Sequence, residues 1–178
     1  MTGPSHRVLS ESEVLSRLKS RRGQPGYLAM FSSWLGGVIT DPALMQIPLD
    51  DHLVHRGHGV FDTCTLSGGN LYRLGVHMDR LLTSAALARI EHSWTKEDLI
   101  RMVMDTASHA GVKDGAVRYW LTAGPGGFSP SPQECDEPCF YCIIIDPVPL
   151  GGTRSDPMSV GIPEATVLDT PMKPPLLA

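Results

Sequence analysis

The sequence predicts an α+β fold in which a largely antiparallel sheet carries helices on one side. Strand-like and helix-like segments follow one another in mixed order, which is typical of that class. A Gly-Gly-Asn turn at positions 68–70 joins two strand-like runs, and such hairpins pair strands antiparallel. The run Cys139–Ile145 is apolar throughout, as in a strand that is buried on both faces.

The first element is a helix expected from about Glu11 to Arg21. Ser10 and Glu13 form a capping-box pattern at its start, and residues 23–26, which include Pro25, end it. The next two segments are short strands, Tyr27–Ser32 and Trp34–Thr40.

The central part alternates strands and helices. A strand at Val60–Ser67 is followed by the turn, a short return at Leu71–Arg73, and apolar residues at helical spacing from Leu74 to Ile90. A second helix is expected to be capped by Thr95 and Asp98 and to end at Gly111. The last two strands of this part are Ala116–Thr122 and Cys139–Ile145.

Composition excludes several function classes. The net charge of −4 gives no electrostatic reason to expect a nucleic-acid partner. We expect no membrane partner either, because no apolar run is long enough to span a bilayer. The first residues lack an apolar core and carry acidic side chains early, so they predict neither a secretory signal nor a transit peptide. The cytoplasm is therefore expected, with the cysteines kept as thiols.

Arg80 is the first candidate for chemistry, because it lies on a helix entered directly from a hairpin. Its planar guanidinium offers paired donors to a phosphate. The alternative is a surface arginine paired with Asp79 or Glu91, and the residues alone favour that alternative.

Two clusters resemble metal sites, but packing explains both better. His52, His55 and His58 recur every three residues, yet Gly57 and Gly59 flank the last one and argue against a continuous helix. The second cluster has the spacing C-x3-C-x2-C without a second pair, and its members are Cys135, Cys139 and Cys142. We predict no metal site at either place.

The glycine-rich segment 124–127 follows a predicted strand but is not a phosphate loop. It lacks the lysine and the hydroxyl of a P-loop, and no clear helix follows it. Its glycines predict a loop with unusual backbone angles.

Four segments together resemble the class-IV, pyridoxal-phosphate-dependent aminotransferases, most nearly the plant D-amino-acid transaminase type. The family includes branched-chain aminotransferases, D-amino-acid aminotransferases and aminodeoxychorismate lyases. The segments that carry the resemblance are Pro48–Thr63, His77–Leu82, Val117–Gly126 and Pro171–Ala178.

The resemblance implies the small N-terminal α+β domain of that fold, a linker, and the beginning of a larger domain, with pyridoxal 5′-phosphate between the domains. The expected division is an N-terminal helix and lead-in, the small domain, the linker and the start of the large domain, at residues 1–26, 27–146, 147–157 and 158–178. By position, Arg80 matches the arginine that holds the cofactor phosphate, and Arg56 is expected to face the substrate carboxylate. Family members are usually homodimers.

The same resemblance places the Schiff-base lysine shortly after the Pro-Pro-Leu-Leu-Ala segment, where the sequence stops. Lys173 precedes that segment and is given no catalytic role, so no catalytic residue is assigned. The expected function is transfer of an amino group between an amino acid, D-amino or branched-chain, and a 2-oxo acid. The alternatives are an aminodeoxychorismate lyase-like enzyme, and a non-catalytic small domain acting in dimerisation or binding. We expect this chain alone to lack activity.

Overall fold

A computed structural model describes residues 6–21 and 26–146 of the 178-residue chain. The helices are α1 (Glu11–Arg21), α2 (His52–Arg56), α3 (Leu74–Leu87) and α4 (Lys96–Ala110). The strands are β1 (Tyr27–Ser32), β2 (Gly37–Ile39), β3 (Gly59–Ser67), β4 (Asn70–Leu71), β5 (Gly115–Thr122) and β6 (Cys139–Ile145). Two single 3₁₀ turns cover Pro42–Leu44 and Pro132–Glu134.

The six strands form one sheet in the order β2-β1-β6-β5-β3-β4, and every neighbouring pair is antiparallel. The predicted α+β class with a largely antiparallel sheet is therefore confirmed. Strand β6 lies between β1 and β5 and is covered on both faces, which explains its unbroken apolar sequence.

Helices α3 and α4 cover one face of the sheet and enclose the main core, as predicted. That core includes Met78, Leu99, Tyr119 and Phe140, all fully buried. The opposite face carries a smaller apolar cluster, with these buried members: Met30, Met45, Cys139, Tyr141 and Ile143.

The capping predictions are confirmed, because the Thr95 hydroxyl and the Asp98 carboxylate bond reciprocally to each other's backbone N–H at the start of α4. Gly111 ends that helix in the left-handed conformation. At α1, the backbone N–H of Ser10 donates to the Glu13 carboxylate at 3.0 Å.

Several element boundaries differ from the prediction, and one helix was missed. The strand expected from Trp34 begins only at Gly37, because a turn at residues 33–36 occupies its first half. Helix α2 was not predicted. Helix α3 stops at Leu87, and Ile90 reaches the core from beyond its end, after Arg89 adopts a positive φ of 54°.

The expected linker and large-domain start, residues 147–178, lie outside the described residues. Within the described ranges, no helix has both the length and the apolarity needed to cross a bilayer.

Candidate cofactor and substrate site

A buried carboxylate holds the candidate phosphate-binding arginine. Alternation along β3 turns Asp62 towards the helices, where Arg80 meets it from α3. The Nε–H of Arg80 donates to Asp62 Oδ2 at 2.8 Å, and Nη2 donates to Oδ1. Arg80 pairs with neither Asp79 nor Glu91, so the predicted alternative partners are wrong. Asp79 instead forms an ion pair with Lys96, with 2.5 Å between its Oδ1 and the lysine Nζ.

The geometry of the pair leaves part of the guanidinium for another ligand. Asp62 uses Nε–H and one hydrogen of Nη2, so the opposite edge of Arg80, with Nη1, does not face the carboxylate. The Arg80 side chain is 59% exposed although its partner is buried. A fixed, half-exposed guanidinium edge matches the paired acceptors of a phosphate group, so these residues fit the phosphate of the implied cofactor.

Two further side chains lie beside the pair. Nδ1 of His77 is 3.4 Å from Asp62 Oδ1 and 3.4 Å from Arg80 Nη2. The hydroxyl of Tyr119 is fully buried and has no hydrogen-bond partner among the described residues. Burial, and then the charge of Asp62, raises the pKa of that phenol, so Tyr119 is neutral at physiological pH.

The pKa of the Asp62 carboxyl reflects its pairing with Arg80. Burial raises this pKa, but hydrogen bonds from Arg80 and from the Thr63 backbone N–H outweigh burial and leave it below its usual value. The hydrogen bond to Asp62 is also the main reason that the pKa of Arg80 is raised. The ionised pair is therefore the stable form at neutral pH.

We expect Asp62→Asn to lower the free energy of unfolding at pH 7 by about 1 kcal/mol, a modest value because Arg80 is half exposed and solvent screens the pair. A carboxyl whose folded pKa is depressed stabilises the protein above its unfolded pKa, and that stabilisation is lost as the pH falls through the folded value. The difference between the two proteins should therefore be complete at pH 6, begin to fall near about pH 4, where the unfolded carboxyl titrates, and vanish only below the lowered folded pKa. Urea unfolding at pH 6 and at a series of pH values below about 4 measures it, and a difference independent of pH would contradict the assignment.

Arg56, the candidate for the substrate carboxylate, holds a loop. It is the last residue of α2, and its Nη2 donates to the Phe128 carbonyl at 2.9 Å while Nε donates to the Ser129 carbonyl at 3.4 Å. Residues 124–138, which we call the β5–β6 loop, are thereby joined to α2. A contact between Arg56 and a substrate stays a prediction, and two of its donors already have acceptors.

The open part of the sheet, on the side away from α3 and α4, carries residues that sequence reasoning missed. Phe61 is 64% exposed there, and the guanidinium carbon of Arg118 lies 5.9 Å from its ring centroid. Thr63 pairs with Arg118 in the strand register, so β3 and β5 bring the aromatic ring and the cation together. The signal in the sequence that could have found this site was Arg118 itself, the one charged residue of strand β5.

Two of the three histidines have separate hydrogen-bond partners. His52 Nε2 is 2.9 Å from the carboxylate of Glu134, and His58 Nε2 is 3.0 Å from the carbonyl of Ala88. The Nε2 atom of His55 is buried without a partner among the described residues. In the described ranges, no three His, Cys, Asp or Glu side chains are grouped so as to hold a metal ion.

The cysteines lie on both faces of the sheet. Cys139 belongs to the smaller cluster and Cys142 to the main core, because residues three apart on a strand face opposite sides. Cys135 lies in the β5–β6 loop, and burial raises the pKa of its thiol. Burial, with the charge of Asp62, likewise raises the pKa of Cys64 to about 11, and such a thiol is a poor nucleophile at neutral pH.

None of the lysines in the described ranges is buried in a pocket suited to Schiff-base chemistry. Lys96 pairs with Asp79, Lys19 lies 3.9 Å from the Asp41 carboxylate, and Lys113 is exposed. The candidate site on the described residues thus consists of a fixed, half-exposed arginine and an open sheet face, and the described part of the chain contributes no reacting amine to it.

Comparison with known proteins identifies relatives. The family model described as amino-transferase class IV matches residues 59–175. The chain is 46% identical over 171 residues to a protein named D-amino-acid transaminase, chloroplastic, of Arabidopsis thaliana, covering 96% of this chain and 44% of that protein. It is 32% identical over 119 residues to a putative branched-chain-amino-acid aminotransferase of Methanocaldococcus jannaschii, covering 67% of this chain and 41% of the relative.

A solved structure shares the fold. The branched-chain amino acid aminotransferase from Escherichia coli superposes on this chain with a TM-score of 0.60 at 17% identity. The match covers 67% of this chain and 41% of that one. The chain therefore spans less than half the length of the proteins that it matches.

Proposed function

The chain belongs to the class IV aminotransferase family, and on that premise we propose that it contributes to a pyridoxal-phosphate-dependent enzyme that moves an amino group between an amino acid and a 2-oxo acid. One observation carries the proposal. Arg80 is fixed by the buried carboxylate of Asp62 and keeps a half-exposed edge for a phosphate. When bound, pyridoxal phosphate supplies the electron sink for chemistry at the amino acid α-carbon.

Arg80 contributes the anchor and Asp62 contributes its orientation. Because the bidentate pair fixes the guanidinium plane before any ligand arrives, less side-chain entropy is lost on phosphate binding. The Schiff-base lysine that the resemblance places after Ala178 stays a prediction. Reading the transcript on both sides of the segment that encodes this chain tests it, and a frame without such a lysine would favour the non-catalytic binding role.

Substrate recognition is proposed for the open sheet face. Arg118 has no carboxylate ion-pair partner in the part of the chain that the structure describes, and it lies over the exposed ring of Phe61. A cation next to an apolar surface suits an amino acid or 2-oxo acid with an apolar side chain. The names of the relatives support D-amino or branched-chain amino acids as substrates.

Assays of the protein that carries this chain, with the D- and L-forms of alanine and leucine and a 2-oxo acid acceptor, distinguish these substrates. Assembly as a homodimer and residence in the cytoplasm are further proposals. The Arabidopsis relative is named as chloroplastic, so imaging of a tagged protein should distinguish the cytoplasm from the chloroplast.

We expect Arg80→Ala to weaken binding of pyridoxal phosphate about 10- to 100-fold, because charge-assisted hydrogen bonds to the phosphate are lost. Equilibrium dialysis with absorbance detection of the bound cofactor measures the change. Arg101→Ala is the matched control, since Arg101 is another exposed, ion-paired helical arginine, paired with Asp98 on α4. Equal retention by the two variants would refute the role of Arg80.

A further inference from the structure

A single ring nitrogen lies beside both charges of the Arg80–Asp62 pair. His77 precedes Arg80 by one turn of α3, and the i, i+3 spacing places both side chains towards β3. Nδ1 is at 3.4 Å from each partner atom, Asp62 Oδ1 and Arg80 Nη2. The imidazole is partly exposed, so protons from solvent reach it.

That nitrogen cannot serve both neighbours at once. With a proton it donates to the Asp62 carboxylate, and without one its lone pair accepts from the Arg80 guanidinium. A ring with a proton on Nδ1 therefore donates to Asp62 Oδ1 beside Arg80, whereas a ring with a bare Nδ1 occupies a hydrogen of Arg80. The neutral ring takes either form according to its tautomer, but the charged ring carries a proton on both nitrogens and takes only the first.

We propose that His77 is a positioning residue for the anion-binding edge of Arg80, and that protonation of its ring strengthens the binding of a phosphate-class anion there. The choice of ligand rests on the proposed function. The contact between the ring and the ion pair does not.

Two effects of protonation act in the same direction. Asp62 and Arg80 together are neutral, so the added proton gives the cluster a net positive charge near the bound anion. A ring that donates to Asp62 Oδ1 also no longer occupies the second hydrogen of Arg80 Nη2, so that hydrogen is open to the anion while the bidentate pair stays intact.

The other titratable groups around the ring keep their charge state near neutral pH. From β3, Asp62 has a depressed pKa and Cys64 has a raised one. From β5, the buried Tyr119 has a raised pKa, and on α3 itself the pKa of Arg80 is raised. From α4, Lys96 is paired with Asp79. Histidine is the side-chain type that changes charge between about pH 5 and pH 8.

Inorganic sulfate is the probe that tests this proposal, because it stays fully ionised over that range, whereas a phosphate ester titrates near pH 6. NMR chemical-shift titration of the 178-residue chain at constant ionic strength gives the sulfate affinity at pH 5.5 and pH 8. We expect binding about three- to tenfold tighter at pH 5.5, from one added charge within a Debye length. His77→Gln should remove this dependence.

His109→Gln is the matched control, because the His109 ring bonds a carbonyl of its own helix α4 and is exposed. It should keep the wild-type dependence, which separates His77 from the general rise in positive charge. His77→Asn serves as the second variant if His77→Gln does not give a dispersed NMR spectrum.

The outcomes distinguish the positioning role of His77 from the phosphate site at Arg80. If His77 variants keep the pH dependence while Arg80→Ala loses sulfate binding, the positioning role is wrong and the phosphate site stands. If Arg80→Ala binds sulfate like the wild type, the phosphate site is wrong. The contact between His77 and the ion pair is then tested by NMR without ligand. In the ligand-free wild-type chain the Arg80 Nε–H resonance should shift between about pH 5.5 and pH 8 and should not shift in His77→Gln, and an unresponsive wild-type resonance would overturn the proposal.

Discussion

Replacement of Asp51 by alanine is expected to lower the free energy of unfolding by about 4 kcal/mol, since three donors lose a buried acceptor. Asp51 is fully buried and caps α2 by accepting from the Leu53 backbone N–H at 2.9 Å. Its Oδ2 also accepts from the Thr122 hydroxyl at 3.0 Å and from the Tyr141 hydroxyl at 2.9 Å. One carboxylate thus joins α2, β5 and β6.

The consequence reaches the candidate site, because α2 carries Arg56 and also contacts the β5–β6 loop through its backbone. The N–H of His52 donates to the Gly124 carbonyl at 3.1 Å, and Asp51 forms a bridge with Pro125. Without the carboxylate, the position of this loop against α2 should loosen together with the stability.

Urea unfolding measures the loss, and Asp41→Ala is the matched control. Asp41 caps the 3₁₀ turn at Pro42–Leu44 through one bond to the Ala43 N–H at 3.0 Å and is partly exposed, so its replacement should cost about 1 kcal/mol. Equal losses for the two variants would show that the buried network at Asp51 adds nothing to a simple cap.

Gly124→Ala is the second large effect, with an expected loss of at least about 3 kcal/mol from a steric clash added to left-handed strain. Gly124 has a φ of +93°, and a Cβ built on it would lie 1.7 Å from the carbonyl oxygen of Glu137. That neighbour is backbone, so the two ends of the β5–β6 loop would have to separate.

Gly36→Ala isolates the strain from the clash. Gly36 has a φ of +72°, and a Cβ there would meet nothing within 4 Å, so only about 1–2 kcal/mol is expected. Denaturant midpoints of the two variants measure the difference. If Gly124→Ala were as stable as Gly36→Ala, the close packing of the loop against residues 137–138 would be disproved.

The predicted elements that the structure confirms are those with a strong local signal. The capping box at Thr95, the hairpin glycines at 68–69 and the apolar run Cys139–Ile145 each specify their element through nearby atoms alone. The 124–127 segment was predicted to need unusual backbone angles, and Gly124 confirms it with a positive φ.

The elements that were missed depend on distant partners. Helix α2 is only five residues long, too short to be stable by propensity, and exists because Asp51 is held by residues some 70 to 90 positions away. The partner of Arg80 is Asp62, 18 positions away, whereas local reasoning offered only Asp79 and Glu91.

The sequence by itself determined the fold class and most element boundaries, because periodicity and caps depend on neighbouring residues. It also singled out Arg80 as a candidate, whose role stays a prediction. Only the tertiary structure decided the partners: Asp62 and His77 for Arg80, the loop carbonyls for Arg56, and Phe61 for Arg118. The physical reason is the sheet register. Pairing between strands far apart in the chain decides which side chains share a face, and a shift of one residue would reverse every assignment.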